Sequence, residues 1–388
     1  MLYDHTSRIT SLEMKKQNLN IEFNSSEFAT NPESVSARLR ETEGLYPFRL
    51  SDGTLVYLAT RRKDAELILT SGDIFKVSPA LESQSYSDNP FSAAIPGANH
   101  LLATDDDLHL KLRQPLERFF TTESLEQFRS FINDEVEIIL LKWKTGESHN
   151  LAAELSYTLS VKVIARMLGI PWQNELTEYA VALQMIKADP AYLPQVTAFH
   201  NLLYGIVEQK RNAASNDIIS ALINAGFSNE ETLNASLLCF IAGSGTTASL
   251  ISQGLRMIIK EQRKISKKEQ SELLTDEILF KFSPANSAFP RYVHKNTGVG
   301  DTKLHRGDIV LVLLSSANYD VESGRDPLKN YLSFSKGIHH CIGWYVAKME
   351  AEVVFTLFSQ HFPNAVIKNE EWFSNVVSRD LLILEVIL

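Results

Sequence analysis

Apolar residues recur every three or four positions along most of the chain, which is the period of an amphipathic helix. Polar turns separate these segments, and stop signals such as Gly169 followed by Pro171 end some of them. The pattern predicts helices at residues 34–43, 63–70, 104–120, 124–143, 151–168, 177–209, 230–260 and 267–281, and a last one after Gly343. A break is expected near Asp189 and Pro190, inside the segment 177–209.

Strand patterns are short and few. They predict strands at residues 46–50, 54–60, 308–314 and 381–388, with a turn at 51–53 and an extended segment at 284–291. The chain is therefore expected to be mainly α with small β-sheets. No repeat, low-complexity stretch or Pro/Gly/Ser-rich linker marks a boundary, so we expect one domain over residues 1–388, with 1–20 as a loosely ordered tail. The long polar stretch 77–102 is expected to be functional or mobile.

Composition and charge exclude several classes of protein. The 388 residues are 44% hydrophobic and 22% charged, as in ordinary globular proteins. The net charge of −9 argues against a nucleic acid or an anionic membrane as partner. We see neither an apolar run of membrane length nor a signal core, and the two cysteines form no disulfide framework. A cytoplasmic protein is expected.

The most informative stretch is residues 334–343, Phe-Ser-Lys-Gly-Ile-His-His-Cys-Ile-Gly. It places Cys341 between two glycines, in a bent loop just before a predicted helix N-terminus. The free amides and the dipole at that end are expected to favour the thiolate. A thiolate on a rigid loop is a good axial ligand for heme iron. The alternative is that Cys341 is a small buried hydrophobic residue.

This spelling, Phe-x-x-Gly-x-His-x-Cys-x-Gly, resembles the heme-binding loop of the cytochrome P450 family. The resemblance implies the cytochrome P450 fold and heme b (iron protoporphyrin IX), with Cys341 as the proximal iron ligand. It also implies that His339 reaches a heme propionate, and that Phe334 and Gly337 shape the loop under the ring. Ser335 stands where the family usually has glycine.

Two further stretches support the resemblance around the heme propionates. His109 and Arg113 lie four residues apart, so on a helix they share one face and suit an anionic partner. The family has Asp-x-x-x-His-x-x-x-Arg at this point, and both donors hold heme propionates there. Arg291 matches a third propionate-binding arginine of the family. Each of these residues read alone is also compatible with a solvent-exposed surface position.

The predicted helix at 230–260 opens with a capping box, Ser228 and Glu231, and contains Ala242-Gly243-Ser244-Gly245-Thr246-Thr247 in its middle. Interior glycines cost about 1 kcal/mol each relative to alanine, so they indicate close approach of a flat ligand or a local widening of the helix. The stretch resembles the family's oxygen-activating helix, with Thr246 at the proton-delivering threonine. The alternative is an inert helix threonine.

Three departures from the family pattern accompany the matches. Gly245 stands where the family has an acid that helps to relay protons, which points to relay by water or substrate, to peroxide use, or to weak activity. Phe280 replaces the arginine of the family's Glu-x-x-Arg, so Glu277 is expected to be met by Lys281, Arg325 or backbone amides, or to be partly exposed. Tyr319 replaces an arginine in Ala-Asn-Arg-Asp.

Three functions remain open at this point. The first is a heme-thiolate monooxygenase acting on a small organic molecule, free or bound to a carrier protein, in secondary-metabolite biosynthesis. Its electrons would come from a ferredoxin or flavodoxin docking near Lys336 and Lys348, and we expect a soluble monomer of bacterial type. The second is a peroxide-using variant of the same fold, which Gly245 suggests. The third is a non-catalytic helper protein with a P450-like fold, favoured by the missing arginine and opposed by the retained cysteine loop.

Overall fold

The computed structural model of the chain describes residues 21–41, 44–50, 53–84, 95, 99–185, 189–321 and 326–388. The predicted tail 1–20, residues 51 and 52 of the predicted turn, Arg325 and half of the stretch 77–102 lie outside these ranges. The elements, in chain order, are α1 (Ser26–Thr30), α2 (Pro32–Arg40), β1 (Tyr46–Arg49), β2 (Leu55–Ala59), α3 (Arg62–Thr70), β3 (Phe75–Lys76), α4 (Asp106–Glu117), α5 (Thr122–Leu140), β4 (Ser148–Asn150), a π-helical segment (Ala152–Tyr157), α6 (Thr158–Leu168), α7 (Glu175–Met185), a 3₁₀ turn (Pro190–Tyr192), α8 (Leu193–Asn212), α9 (Ile218–Asn224), α10 (Asn229–Lys260), α11 (Lys268–Phe282), β5 (Arg291–Val293), β6 (Thr297–Val299), β7 (Thr302–Leu304), β8 (Ile309–Val312), α12 (Leu314–Tyr319), 3₁₀ turns (Pro327–Lys329 and Gly337–His339), α13 (Trp344–His361), β9 (Val366–Ser374) and β10 (Arg379–Ile387).

The predicted mainly α architecture is confirmed, and the described strands form three small sheets. The largest has the order β1-β2-β8-β5-β3, with β2 and β8 parallel and the other pairs antiparallel. A second sheet joins β4, β10 and β9, and a third is the hairpin of β6 and β7. The sheets lie at the margin of a helical core in which α10 packs against α6, α13 and the π-helical segment.

Helix α10 is the central element of that core. The predicted capping box starts it: the Glu231 N–H donates to Ser228 Oγ (3.2 Å), and the Ser228 N–H donates to Glu231 Oε2 (2.9 Å). Within the described ranges, α10 is the one helix whose length and composition would let it cross a membrane, yet most of it is buried inside the protein. Such burial is typical of the core helix of a globular protein.

Three helical segments differ from the sequence expectation. The helix predicted at 151–168 begins as a π-helix and becomes α-helical at Thr158. The segment 177–209 is two helices, α7 and α8, on either side of the expected break. Helix α9 was not predicted because its seven residues are too few to show a period; Asp217 caps its first turn by accepting from the Ser220 N–H (2.8 Å).

Candidate active site

The loop that carries Cys341 is fixed by backbone geometry. Gly337 has φ of +76°, and a Cβ there would meet the Leu69 carbonyl oxygen at 2.5 Å, so only glycine fits. The Cys341 N–H donates to the carbonyl oxygen of Phe334 (2.9 Å) and closes the loop. Helix α13 then begins at Trp344. The prediction that Cys341 lies just before a helix N-terminus is confirmed.

Ser335 has φ of +62°, in the left-handed region that glycine adopts freely and other residues avoid. Its hydroxyl oxygen is buried and has no hydrogen-bond partner among the residues described. The serine therefore occupies a glycine conformation, which gives a physical reason for the usual glycine at this position in the family.

Cys341 is accessible to solvent although protein surrounds its thiol on most sides. The alternative of a small buried hydrophobic residue does not describe it, whereas it does describe the buried Cys239. Burial raises the pKa of the Cys341 thiol, and this outweighs the Gly343 amide and the charge of Arg113, which lower it. The expectation that the helix N-terminus makes the thiol favour the thiolate is therefore wrong for the side chain on its own.

The structure brings three of the residues predicted to bind propionates into one cluster around Asp105. The His339 Nε2 lies 3.2 Å from Asp105 Oδ1, and the rings of His339 and His109 contact each other edge to face at 4.4 Å. Arg291 is almost fully buried and interacts electrostatically with Asp105 and His339. The alternative of a surface arginine at 291 is therefore wrong.

Within the described part of the chain, this cluster contains a buried cation and an unpartnered ring nitrogen. Among the described residues, the buried His339 Nδ1 has no hydrogen-bond partner, and Arg291 donates from Nη1 to the Phe289 carbonyl oxygen (2.7 Å). Burial lowers the pKa of Arg291 to about 10, which still leaves it charged at neutral pH. The buried Arg291 cation suits an anionic group, and His339 can also donate to such a group from Nδ1 once its ring is protonated.

His109 and Arg113 share one face of α4, as predicted, and both reach the cysteine loop. His109 Nε2 lies 3.1 Å from the Ile338 carbonyl oxygen, and its Nδ1 lies 3.1 Å from the Leu101 carbonyl oxygen. Arg113 Nη1 donates to the carbonyl oxygens of His340 (3.0 Å) and Ile338 (3.4 Å). These two side chains therefore hold the loop backbone in place next to Cys341.

On the central helix, Ala242 and Thr246 are exposed although α10 is otherwise largely buried. They are one turn apart, so they form one accessible stripe on the helix. The Thr246 hydroxyl donates to the Ala242 carbonyl oxygen (2.7 Å), which is one of the two roles foreseen for it. The helix remains α-helical throughout, so the expected local widening is not found.

Neighbouring side chains explain the two glycines of this helix. A Cβ at Gly243 would lie 3.0 Å from Ile164 Cγ1, and a Cβ at Gly245 would overlap the carboxamide of Gln184. The expectation of a flat ligand against the glycine backbone is thus replaced by close packing of α6 and α7. Sequence analysis missed Gln184 because a glutamine at the end of a helix carries no motif.

Glu277 is held by two cations. Arg263 bridges both carboxylate oxygens, and Lys281 lies 2.6 Å from Oε1. The predicted Lys281 contact is confirmed, whereas Arg263 was missed because it lies fourteen positions earlier, beyond the end of α10. Hydrogen bonding to Arg263 is the main cause of the lowered pKa of Glu277. The rings of Phe280 and Tyr319, which stand at two family arginine positions, contact each other at a tilted angle with centroids 5.0 Å apart.

The two lysines expected to attract a redox partner are already paired. Lys348 is largely buried and binds Asp276 (2.5 Å), and Lys336 lies 3.3 Å from Glu66. Their positive charges are therefore partly balanced within the protein, although Lys336 remains half-exposed, and docking of a redox partner near them stays a prediction.

Comparison with known proteins agrees with this fold. No protein-family model matches the chain. Curated relatives include Cytochrome P450 CYP107DY1 of Priestia megaterium (27% identity, 85% of this chain and 89% of the relative) and the polyketide biosynthesis cytochrome P450 PksS of Bacillus subtilis (25%, 92% and 95%). Among solved structures, P450BioI in complex with an acyl carrier protein carrying hexadec-9Z-enoic acid superposes with a TM-score of 0.81 at 22% identity, over 94% of this chain and all of that one.

These relatives, with the cysteine loop and the shared fold, support a cytochrome P450 of bacterial type, and some of the curated relatives are named as monooxygenases.

Proposed function

We propose that the chain binds heme b with Cys341 as the axial ligand and oxidises a small organic molecule with dioxygen. The observation that carries the proposal is the accessible Cys341 on its closed loop, together with the buried cation Arg291 and with His339 Nδ1, which is unpartnered among the described residues. Both features fit the group, since a coordinated cation offsets the burial that raises the thiol's pKa, and the propionates supply anionic acceptors for Arg291 and for a protonated His339. When bound, the heme iron supplies dioxygen activation and insertion of oxygen into the substrate.

The residues of this chain divide into three tasks around the heme. Phe334 and Gly337 shape the loop below the ring, with the Phe334 carbonyl fixing the amide of Cys341. Arg291 and His339 bind the propionates, while His109 and Arg113 stand beside them and hold the loop carbonyls at Ile338 and His340. Ala242 lies on the exposed stripe of α10 that would face the heme, whereas Gly243 packs against Ile164 of α6.

Thr246 handles protons on the substrate side. The Thr246 hydroxyl donates to the Ala242 carbonyl oxygen. The lone pairs of the hydroxyl oxygen therefore remain free to accept a hydrogen bond from a water molecule beside the exposed stripe of α10. In this position Thr246 delivers protons to the reacting oxygen.

Electrons come from a ferredoxin or flavodoxin. Because Lys336 and Lys348 are paired, the docking surface cannot depend on these two charges alone. The substrate is a small organic molecule of secondary metabolism, and binding to a carrier protein is consistent with the acyl-carrier complex of the structural relative. We place the protein in the cytoplasm as a monomer.

The test is oxygen labelling. A substrate found by its shift of the Soret band would be turned over under ¹⁸O₂ with a ferredoxin or flavodoxin and its reductase. The proposal predicts one labelled oxygen in the product and no product with Cys341→Ser. Unlabelled product, or equal turnover by that variant, would contradict it.

A peroxide-using enzyme is the second candidate, because Gly245 provides no acid next to Thr246. It predicts product from hydrogen peroxide alone at a rate that added reductase does not increase. A protein purified without any heme absorption would instead indicate the non-catalytic helper.

A further inference from the structure

The place of the missing acid is occupied by another side chain. Gly245 is buried, and the atom nearest to a Cβ built there would be Nε2 of Gln184, which lies one residue before the end of α7. The carboxamide thus fills the volume that a side chain at position 245 would need. An acid at 245 and the present Gln184 conformation exclude each other.

Tyr157 holds this carboxamide in one orientation. Its hydroxyl donates to Gln184 Oε1 at 3.1 Å, which leaves the Nε2 end nearest to Gly245. Burial, followed by the charge of Asp380, raises the pKa of Tyr157, so the hydroxyl keeps its proton. Tyr157 is the last residue of the π-helical segment, a rare geometry that often marks functional sites.

The Gln184 amide nitrogen itself is unsatisfied. Nε2 is buried and, among the described residues, has no acceptor. Leaving a buried amide donor without an acceptor is unfavourable, so its presence calls for an explanation such as a bound water. The adjacent residue on α10 is Thr246, whose hydroxyl proton is already engaged by Ala242.

We propose that Gln184 takes the place of the family's acid: Nε2 donates to a water molecule between Gln184 and Thr246, and that water donates to the Thr246 oxygen. Gln184 is a positioning residue, since its amide neither gains nor loses a proton, and Tyr157 keeps it oriented. The inference rests on the proposed monooxygenase function. It gives the water-relay alternative a specific residue.

The amount of product formed per electron consumed tests the proposed role of Gln184. Gln184→Leu keeps the size of the side chain but removes the donor, so product per electron should fall about tenfold or more, with the balance appearing as hydrogen peroxide. Tyr157→Phe should show a smaller loss in the same direction. Substrate affinity from the Soret shift should stay within about twofold, and the solvent deuterium isotope effect on product formation should increase. Gln184→Leu with wild-type coupling and isotope effect would overturn the proposal.

A second measurement tests the geometry without turnover. Gly245→Ala should lower the melting temperature of the purified protein by about 3 °C or more, and the added change Gln184→Ala should recover most of that loss. Gly254 on the same helix is the matched control, because its Cβ would overlap Phe355 and not Gln184. Gly254→Ala should therefore gain nothing from Gln184→Ala. If Gly245→Ala lowered the melting temperature equally in the presence of Gln184 and of Gln184→Ala, the packing of Gln184 against Gly245, on which the inference depends, would be contradicted.

The two measurements separate the failures. A wild-type protein without thiolate-ligated heme would remove the proposed function, and the melting data would still report on Gln184. A wild-type enzyme that turns over normally while Gln184→Leu stays fully coupled would remove this inference alone.

Discussion

Arg263 binds Glu277 with two hydrogen bonds, from Nη1 to Oε2 at 2.5 Å and from Nη2 to Oε1 at 3.1 Å. The arginine lies just beyond the C-terminus of α10, and the carboxylate lies on α11. The chain therefore supplies from another segment the cation that the resembled family places at position 280. Both side chains are partly shielded from solvent, at 27% and 17% exposure, so the pair is only weakly screened.

Replacing Arg263 by alanine should destabilise the protein by about 2 kcal/mol, because Glu277 would keep Lys281 as its sole cation. Arg263→Lys should recover part of the loss, since lysine cannot make the two-pronged contact. Denaturant unfolding measures both. Lys281→Ala is the matched control, with an expected loss of about 0.5 kcal/mol because that side chain is more exposed. Equal effects of the two alanine changes would contradict the leading role of Arg263.

Phe280 and Tyr319 replace two family arginines, and their rings contact each other at a tilted angle. We expect the double-mutant cycle of Phe280→Ala and Tyr319→Ala to show a coupling of about 1 kcal/mol for the ring pair, in line with other aromatic contacts. The control cycle with Tyr319→Phe keeps the second ring and should show almost no coupling. Additive losses in the cycle with Tyr319→Ala would show that the two replacements are independent.

Ser335→Gly should stabilise the protein by about 1 kcal/mol. The change relieves a left-handed backbone conformation and removes a buried hydroxyl that lacks a partner among the described residues. Ser335→Ala separates the two effects, because it removes the hydroxyl and keeps the backbone cost. Thermal unfolding of the three proteins decides the point, and a lower melting temperature for the glycine variant would contradict it.

Asp105 should contribute a pH-dependent part of the stability. Burial raises its pKa, but the hydrogen bonds from His339 and from the Ser78 and Val77 segment outweigh burial and lower the pKa well below its usual range. A carboxylate with a depressed folded pKa stabilises the protein above its unfolded pKa of about 4 and loses that contribution as the pH falls through the folded value.

Asp105→Asn should accordingly cost about 1–3 kcal/mol at pH 7, with the difference from wild type narrowing below about pH 4. Urea unfolding across this pH range measures the difference. Asp107→Asn, at an exposed position of the same helix turn, is the control and should change stability by a few tenths of a kcal/mol only. A gap between wild type and Asp105→Asn that widens on acidification would reverse the expected sign.

Periodicity and capping signals were sufficient for most helices, because each reports on neighbouring residues. The Ser228 and Glu231 box and the loop before α13 were found in this way. Interactions between distant segments were not predictable: nothing in the sequence links Arg263 to Glu277, or Gln184 to Gly245, since both contacts depend on how helices pack. The prediction of a thiolate at Cys341 was wrong for a related reason. The position of a helix end is visible in the local sequence, whereas the burial that raises the pKa of the thiol is not.

The predictions for residues around the heme were partly successful, because some depended on local spacing and others on contacts between distant segments. The spacing of four residues predicted that His109 and Arg113 share one helix face. Arg291, His339 and Asp105 come from distant segments and form a cluster only in the folded chain. Lys336 and Lys348, where positive charge for a redox partner was expected, form ion pairs with Glu66 and Asp276, which come from other elements. The family motifs therefore predicted which residues form the candidate site, whereas the ion pairs of that site could be found only in the folded structure.

The absorption spectrum of the reduced carbon-monoxide complex tests the central assignment most directly. Wild type and the control Cys239→Ala, whose thiol is buried elsewhere, should both show the red-shifted Soret band of thiolate-ligated heme. Cys341→Ser should lose that band, whether or not it retains heme. A band that persists in Cys341→Ser, or that is missing from heme-loaded wild type, would contradict the assignment of Cys341 as the axial ligand.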